Sequence, residues 1–234
     1  MALLEIADVH ARYRVAPILQ GVSVSVDAGE IVSVFGRNGA GKTTLLKTVM
    51  GIVRARAGRI RFDGVDVTAL DTHVIARRGI TLVPEERRIF PRLTVDENLR
   101  VATLASRAGD ATRARVFEYF PRLRERLGHA GQDLSGGEQQ MLALARGFLA
   151  RPQLMLIDEL SGGLMPLLVD ALMDILQRIN AEGITILLVE QDLEVALALA
   201  RRCYVLDQGR IEYSGTAQSL RDNRDVQQRY LGVA

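Results

Sequence analysis

Gly36-Arg37-Asn38-Gly39-Ala40-Gly41-Lys42-Thr43 is the stretch whose residue types and spacing speak most directly of chemistry. It fits G-x-x-x-x-G-K-[ST], follows an apolar run and opens a segment of helical character, the context that a phosphate-cradling P-loop requires. Glycines let successive backbone N–H groups curl around phosphate oxygens, and a helix N-terminus adds positive potential. Lys42 is placed to reach the β- and γ-phosphates of a nucleotide and Thr43 to offer its hydroxyl to Mg²⁺, with Thr44 beside them in the nucleotide-binding set. The competing reading, a glycine-rich strand–helix turn without a ligand, leaves the full match unexplained.

Leu154-Met155-Leu156-Ile157-Asp158-Glu159 supplies a second element, an apolar strand ending in two carboxylates. Asp158 suits Mg²⁺, directly or through water, and Glu159 then faces the γ-phosphate, where it orients or deprotonates an attacking water. Alone, such a strand end is more often merely solvated; downstream of a P-loop it gains meaning. A third segment is Leu134-Ser135-Gly136-Gly137-Glu138-Gln139-Gln140. Ser135 and Glu138 suffice for a capping box on a helix to Leu149 with a packing face at Met141, Leu142, Ala145, Phe148 and Leu149. A cap does not need two consecutive glycines in the first turn, where each weakens the helix. Bare backbone at a helix start suits an approaching phosphate.

These residues need a scaffold, and the patterning describes one. Apolar runs at 31–35, 154–157 and 184–189 read as strands buried on both faces, as parallel strands of an α/β sheet are. Helix-like segments follow at 41–50, 166–181 and 192–201, and that alternation predicts a doubly wound sheet. Short β-like pieces at 3–9, 21–26 and 59–62, separated by turn residues such as Asp63-Gly64, predict an antiparallel layer beside it. From about 84 to 151 helical patterns take over. Thr94 and Glu97 form a capping box for a helix to about Arg107, and 110–127 reads as helical despite Pro121. The expected α/β architecture is one domain over 1–234, with 84–151 a helical subdomain inserted between two core strands.

Composition sets bounds. The 234 residues suffice for one large α/β domain, and a net charge of only +2 excludes a nucleic-acid-binding face. Lys42 and Lys47 are the only lysines among many arginines, which makes the retention of Lys42 informative. Cys203 is the sole cysteine, so no internal disulfide forms and a reducing compartment fits. Residues 1–8 lack the basic and apolar regions of a secretory signal, and the longest apolar stretches fall far short of the about 20 residues needed to span a bilayer.

The Leu134–Gln139 segment, with the P-loop and the 154–159 strand end in the same order, resembles the signature of ATP-binding cassette (ABC) ATPases, and the resemblance covers essentially the whole chain. It implies a P-loop NTPase core with ATP and Mg²⁺ as cofactors, and a two-subunit sandwich. In that sandwich Ser135, Gly136, Gly137 and Glu138 of one subunit close on ATP held by the P-loop of the other. Tyr13 looks like the aromatic that stacks on adenine, with simple packing as the competing reading. Val83-Pro84-Glu85-Glu86-Arg87-Arg88-Ile89-Phe90-Pro91, the 93–99 segment and Leu188-Val189-Glu190-Gln191 are similar to ATPases of branched-chain amino-acid importers, and importers of urea or other small amides are close in pattern. Typical ABC ATPases carry Gln and His where this chain has Glu85 and Gln191. Glu85 adds a carboxylate near the metal and γ-phosphate; Gln191 can donate to phosphate and accept from water.

Four positions depart from the pattern: Leu160 stands where Pro usually follows the catalytic Glu, Gly162 where Leu is common, Met165 where many relatives have Asp, and Glu86 where Gly is common. The first three put cross-site coupling in question. The resemblance implies an ATP-hydrolysing importer subunit, peripheral on the cytoplasmic face of the inner membrane. Its partners would be a second ATPase subunit, identical or merely similar, membrane permease subunits and, indirectly, an extracytoplasmic solute-binding protein. Two rivals remain. A soluble mechanochemical ATPase would need coiled-coil insertions, a tandem half or a basic face; a non-hydrolysing regulatory module would not need Lys42, Asp158 and Glu159 together.

Overall fold

A computed structural model gives the structure of residues 2–106 and 110–231. Two long antiparallel strands, β1 (Ala2–Tyr13) and β2 (Ala16–Asp27), form a hairpin, and β3 (Ile31–Phe35) leads into helix α1 (Lys42–Val49). Next come β4 (Ala55–Phe62), β5 (Val65–Asp66), α2 (Thr72–Arg77) and β6 (Ile80–Val83). The chain then forms α3 (Val95–Ser106), α4 (Asp110–Tyr119), α5 (Pro121–Glu125) and α6 (Gly136–Leu149) before returning as β7 (Leu154–Asp158). It continues through α7 (Pro166–Ala181), β8 (Thr185–Glu190), α8 (Leu193–Leu199), β9 (Arg202–Asp207), β10 (Arg210–Thr216), α9 (Ala217–Asp222) and α10 (Arg224–Val226).

Two sheets result. The smaller is antiparallel, in the order β2-β1-β4-β5; the larger runs β10-β9-β3-β8-β7-β6 and is parallel except for β10. Side chains alternate across a strand, so a strand covered on both faces must be apolar throughout. On β3, Val32 and Val34 join one core with Leu45, Leu46, Ile60 and Phe62, while Ile31 and Phe35 join another with Leu99, Phe120, Leu144 and Leu176. The larger sheet is thus sandwiched between the antiparallel layer with α1 on one side and the later helices on the other. Its strands bring their C-terminal ends, at Phe35, Asp158 and Glu190, to one edge of the fold.

Several expectations need correction. The helix expected over 110–127 breaks at Phe120, because Pro121 has no N–H and starts α5 as its first residue. The β-like pieces at 3–9, 21–26 and 59–62 extend into longer strands, and β5, β6, β9 and β10 lie outside the expected ones. The run at 184–189 is shifted to Thr185–Glu190. The helix expected at 192–201 spans Leu193–Leu199, with the Asp192 carboxylate accepting from the Glu194 and Val195 amides. The Thr94–Glu97 capping box starts α3, while the expected helix end at Arg107 lies outside the described residues. Cys203 is buried in β9, and burial pushes its thiol up to about 12.

Candidate functional site

The loop from β3 into α1 is shaped around the Lys42 side chain. Gly41 has φ 111°, a left-handed conformation that residues with a Cβ rarely adopt, and from it the chain enters the helix directly. Lys42 is 4% exposed; its Nζ donates to the carbonyls of Gly36 (2.8 Å) and Arg37 (3.4 Å) and lies 3.2 Å from Glu159 Oε1. Ala40 closes the turn, its N–H donating to the Arg37 carbonyl at 3.1 Å. The first turn of α1 has neither a side-chain cap nor an acidic residue. Its leading N–H groups therefore have no side-chain acceptor from the helix itself.

The end of β7 completes this side. Thr43 Oγ1 donates to Asp158 Oδ1 at 3.0 Å. Asp158 is 2% exposed, and burial pushes its carboxyl up to about 6; the Thr43 hydroxyl works against that rise, and the charges of Glu159 and Glu85 add to it. Glu159 follows in a left-handed conformation, φ 51°, with its N–H bonded to Val189 O at 3.0 Å. A cavity of about 310 Å³ opens here, lined among others by Asn38, Gly39, Lys42, Thr43, Glu85 and Glu159. Thr44 and Ile18 also reach it. The oxygens of Thr43, Asp158 and Glu85 are hard donors of the kind Mg²⁺ takes, and a cation would relieve the carboxylate repulsion that raises Asp158. Among the described residues no group of three or more His, Cys, Asp or Glu could hold a metal unaided.

The other expected residues lie outside the lining of this cavity. Tyr13 is 47% exposed at the tip of the β1–β2 hairpin, paired with Ala16. Gln191 is exposed just past β8. Ser135 caps α6: its hydroxyl accepts from the Glu138 amide at 3.3 Å, and the Glu138 carboxylate accepts from the Ser135 amide at 2.9 Å. Arg126 holds the other Glu138 oxygen at 3.1 Å. The two glycines between them differ. Gly136 is exposed, and a Cβ there would only touch the Arg87 guanidinium at 3.4 Å, whereas a Cβ on buried Gly137 would fall 2.0 Å from Leu168 Cδ2. Close packing alone accounts for Gly137; it does not account for Gly136.

One residue here escaped the reading of the sequence. Glu190, fully buried at the end of β8, accepts at Oε1 from the amides of Leu160 (2.6 Å) and Ser161 (3.1 Å). Its Oε2 accepts from the Ser161 hydroxyl (2.9 Å) and the Gln191 amide (3.2 Å). Burial raises its carboxyl above the usual range, against the pull of these donors. A carboxylate that directly continues the apolar run 186–189 was the available signal, since charges are almost never fully buried unless partnered.

Comparison with known proteins identifies the family. The family described as ABC transporter matches residues 19–162. The chain is 43% identical to the high-affinity branched-chain amino acid transport ATP-binding protein BraG of Pseudomonas aeruginosa, over 98% of this chain and 100% of that protein. It is 34% identical to the lipopolysaccharide export system ATP-binding protein LptB of Escherichia coli, over 99% of this chain and 98% of that one. A solved ATP-binding subunit of an ABC transporter superposes with a TM-score of 0.84 at 31% identity, covering 98% of this chain and 96% of the other. The family match over most of the chain and the identity to transport ATP-binding proteins along its whole length settle the membership: the chain belongs to the ABC transporter family, as one of its ATP-binding and ATP-hydrolysing subunits.

Proposed function

We propose that this chain powers the import of branched-chain amino acids by binding and hydrolysing MgATP as half of a two-subunit sandwich. The observation that carries the hydrolytic part is the meeting of Lys42 and Glu159 at 3.2 Å over the cavity that Thr43 also lines. An arriving γ-phosphate competes with Glu159 and with the Gly36 carbonyl for the Lys42 ammonium, which frees the Glu159 carboxylate to take a proton from water. Thr43, Asp158 and Glu85 would hold Mg²⁺, which supplies charge neutralisation at the phosphates. Gln191 offers an amide that can donate to phosphate and accept from water, and Tyr13 a ring for the base.

The sandwich rests on the outward aim of Gly136. A helix N-terminus acts on an anion within about its first turn, and α6 starts away from the cavity of its own chain, so its anion is the nucleotide of another subunit. Residues 84–151 would act as the helical subdomain that carries this start. A groove of about 380 Å³ between β6, the end of α1 and the helices, lined by Pro84, Arg87, Ala102 and Arg146, suits a permease loop. Phe90 stands 41% exposed beside it under the Arg146 guanidinium. No described helix is long and apolar enough to cross a membrane. Peripheral attachment on the cytoplasmic face, through such permeases, fits that observation. A solute-binding protein outside would deliver the cargo.

The choice of cargo rests on the 43% identity to BraG against 34% to LptB. Two measurements test the reading. Lys42→Ala should weaken nucleotide binding in calorimetry, because the phosphates lose their fixed cation; an unchanged dissociation constant would sink the P-loop assignment. Expressed in a host that lacks its own branched-chain importer ATPase, together with the cognate permeases, the chain should restore uptake of labelled leucine. Uptake of urea or a short amide instead would move the cargo to that class.

A further inference from the structure

Glu159 is held in a backbone conformation that a non-glycine residue keeps only where its surroundings fix it. On one side its N–H is bonded to Val189 O of the neighbouring strand. On the other, the next two amides, of Leu160 and Ser161, converge on a single oxygen of Glu190. β7 and β8 are parallel neighbours in register Asp158↔Val189, so Glu190 sits one residue beyond the last pair, directly beneath the turn. Its second oxygen takes the Ser161 hydroxyl and the amide of Gln191.

We propose that Glu190 is a positioning residue for ATP hydrolysis: it clamps the turn after β7 so that the Glu159 carboxylate stays aimed at Lys42 and the cavity, and it ties that turn to the start of the Gln191 loop. The proposal rests on the hydrolytic role given to Glu159. Stability alone is a poor reason for this residue. Burying a carboxylate carries a desolvation cost, and an apolar side chain of similar volume often serves a core as well or better. Burial raises the Glu190 carboxyl in spite of its donors, so the group is kept against that cost. What an apolar residue could not do is hold two successive amides at one point. The donor at position 160 exists because the residue is Leu; a proline there has no N–H to give.

The test is turnover by the whole chain with its partner subunits. Glu190→Ala should lower kcat about 100-fold through misplacement of Glu159, with KM and nucleotide affinity essentially unchanged. Glu190→Gln retains an acceptor for both amides and should keep kcat within about tenfold of the parent. Added to Glu159→Gln, the alanine change should cost nothing further, because the group it positions is already disabled. A full rate in the alanine variant overturns the proposal. So do equal losses in alanine and glutamine, which would place the effect in the charge, and so does an additive loss in the double variant. If the alanine chain does not fold, Glu190→Leu, which fills the volume, replaces it under the same criteria. Near-normal turnover in Glu159→Gln alone would overturn the hydrolytic reading beneath all of this, whereas a large loss there with a full rate in Glu190→Ala would overturn the clamp alone.

Discussion

The start of α1 and the start of α6 are both glycine-flanked helix N-termini, yet one chain finishes them differently. At α1 the fold brings together buried Lys42, Thr43 bonded to Asp158 and the left-handed Glu159 turn. At α6 the serine cap and Glu138 satisfy each other, Arg126 neutralises Glu138, and Gly136 is left bare at the surface. The group nearest to where its Cβ would stand is the Arg87 guanidinium. Under the proposed function, the difference separates the two roles: the chemistry is gathered within one subunit, and the second wall of the nucleotide site is a surface that another subunit would bring.

The largest expected effect falls on the half gathered at α1. Glu159→Gln keeps shape and packing but cannot take a proton, so turnover should drop by about 10³-fold. ATP binding should persist, and because closure precedes hydrolysis the variant should accumulate an ATP-bound dimer in size-exclusion chromatography. Near-normal turnover would move the basic role to another group and break the description of α1 as the complete half.

The next effect addresses the incomplete half. Lys42→Ala and Gly136→Asp chains should each be nearly inactive, the second because a carboxylate at the bare helix start repels the γ-phosphate. Mixed, they form dimers in which one site carries both lesions and the other carries neither, so random pairing should restore roughly a quarter of the parent activity if sites act independently. Mixtures that stay dead despite proven dimerisation, or dilute monomer that hydrolyses ATP at full rate, would show that α6 acts on its own chain.

The same contrast explains what the sequence made legible. The P-loop, Asp158 and Glu159 are local: each is a short run at the end of a strand buried on both faces, and α7 announces itself through Pro166 at its first turn. β9 and β10 were missed because Arg202 and Asp207 bound one and β10 alternates exposed and half-exposed residues. β6 was missed because it is a four-residue edge strand. The strand-end carboxylate of Glu190 was a visible signal, but its partners were illegible for a different reason. Its donors at 160 and 161 are about 30 positions away, and only the pairing of β7 with β8 brings them to it. The packing of Gly137 against Leu168 was equally illegible, because Leu168 belongs to α7, about 30 positions away.

That last distinction yields the smallest and most discriminating effect. Alanine at 137 must push Leu168 aside, but Leu168 is only half-buried and its Cδ2 is the far end of a side chain that can swing. The overpacking cost should therefore sit at the low end, about 1 kcal/mol, partly offset by the better helix propensity of alanine. Alanine at 136 meets only the Arg87 guanidinium at ordinary contact distance, so propensity should leave the fold unchanged or stabilise it by about 0.5 kcal/mol. The two melting temperatures should differ by about 3 °C, with the 137 variant lower. Turnover should rank them the other way, since the new methyl at 136 stands where a neighbouring subunit's phosphate would approach, and that at 137 is covered by Leu168. Should both variants melt alike and lose activity alike, the two glycines would share one role, and the division between a packing glycine and a ligand-facing one would not hold.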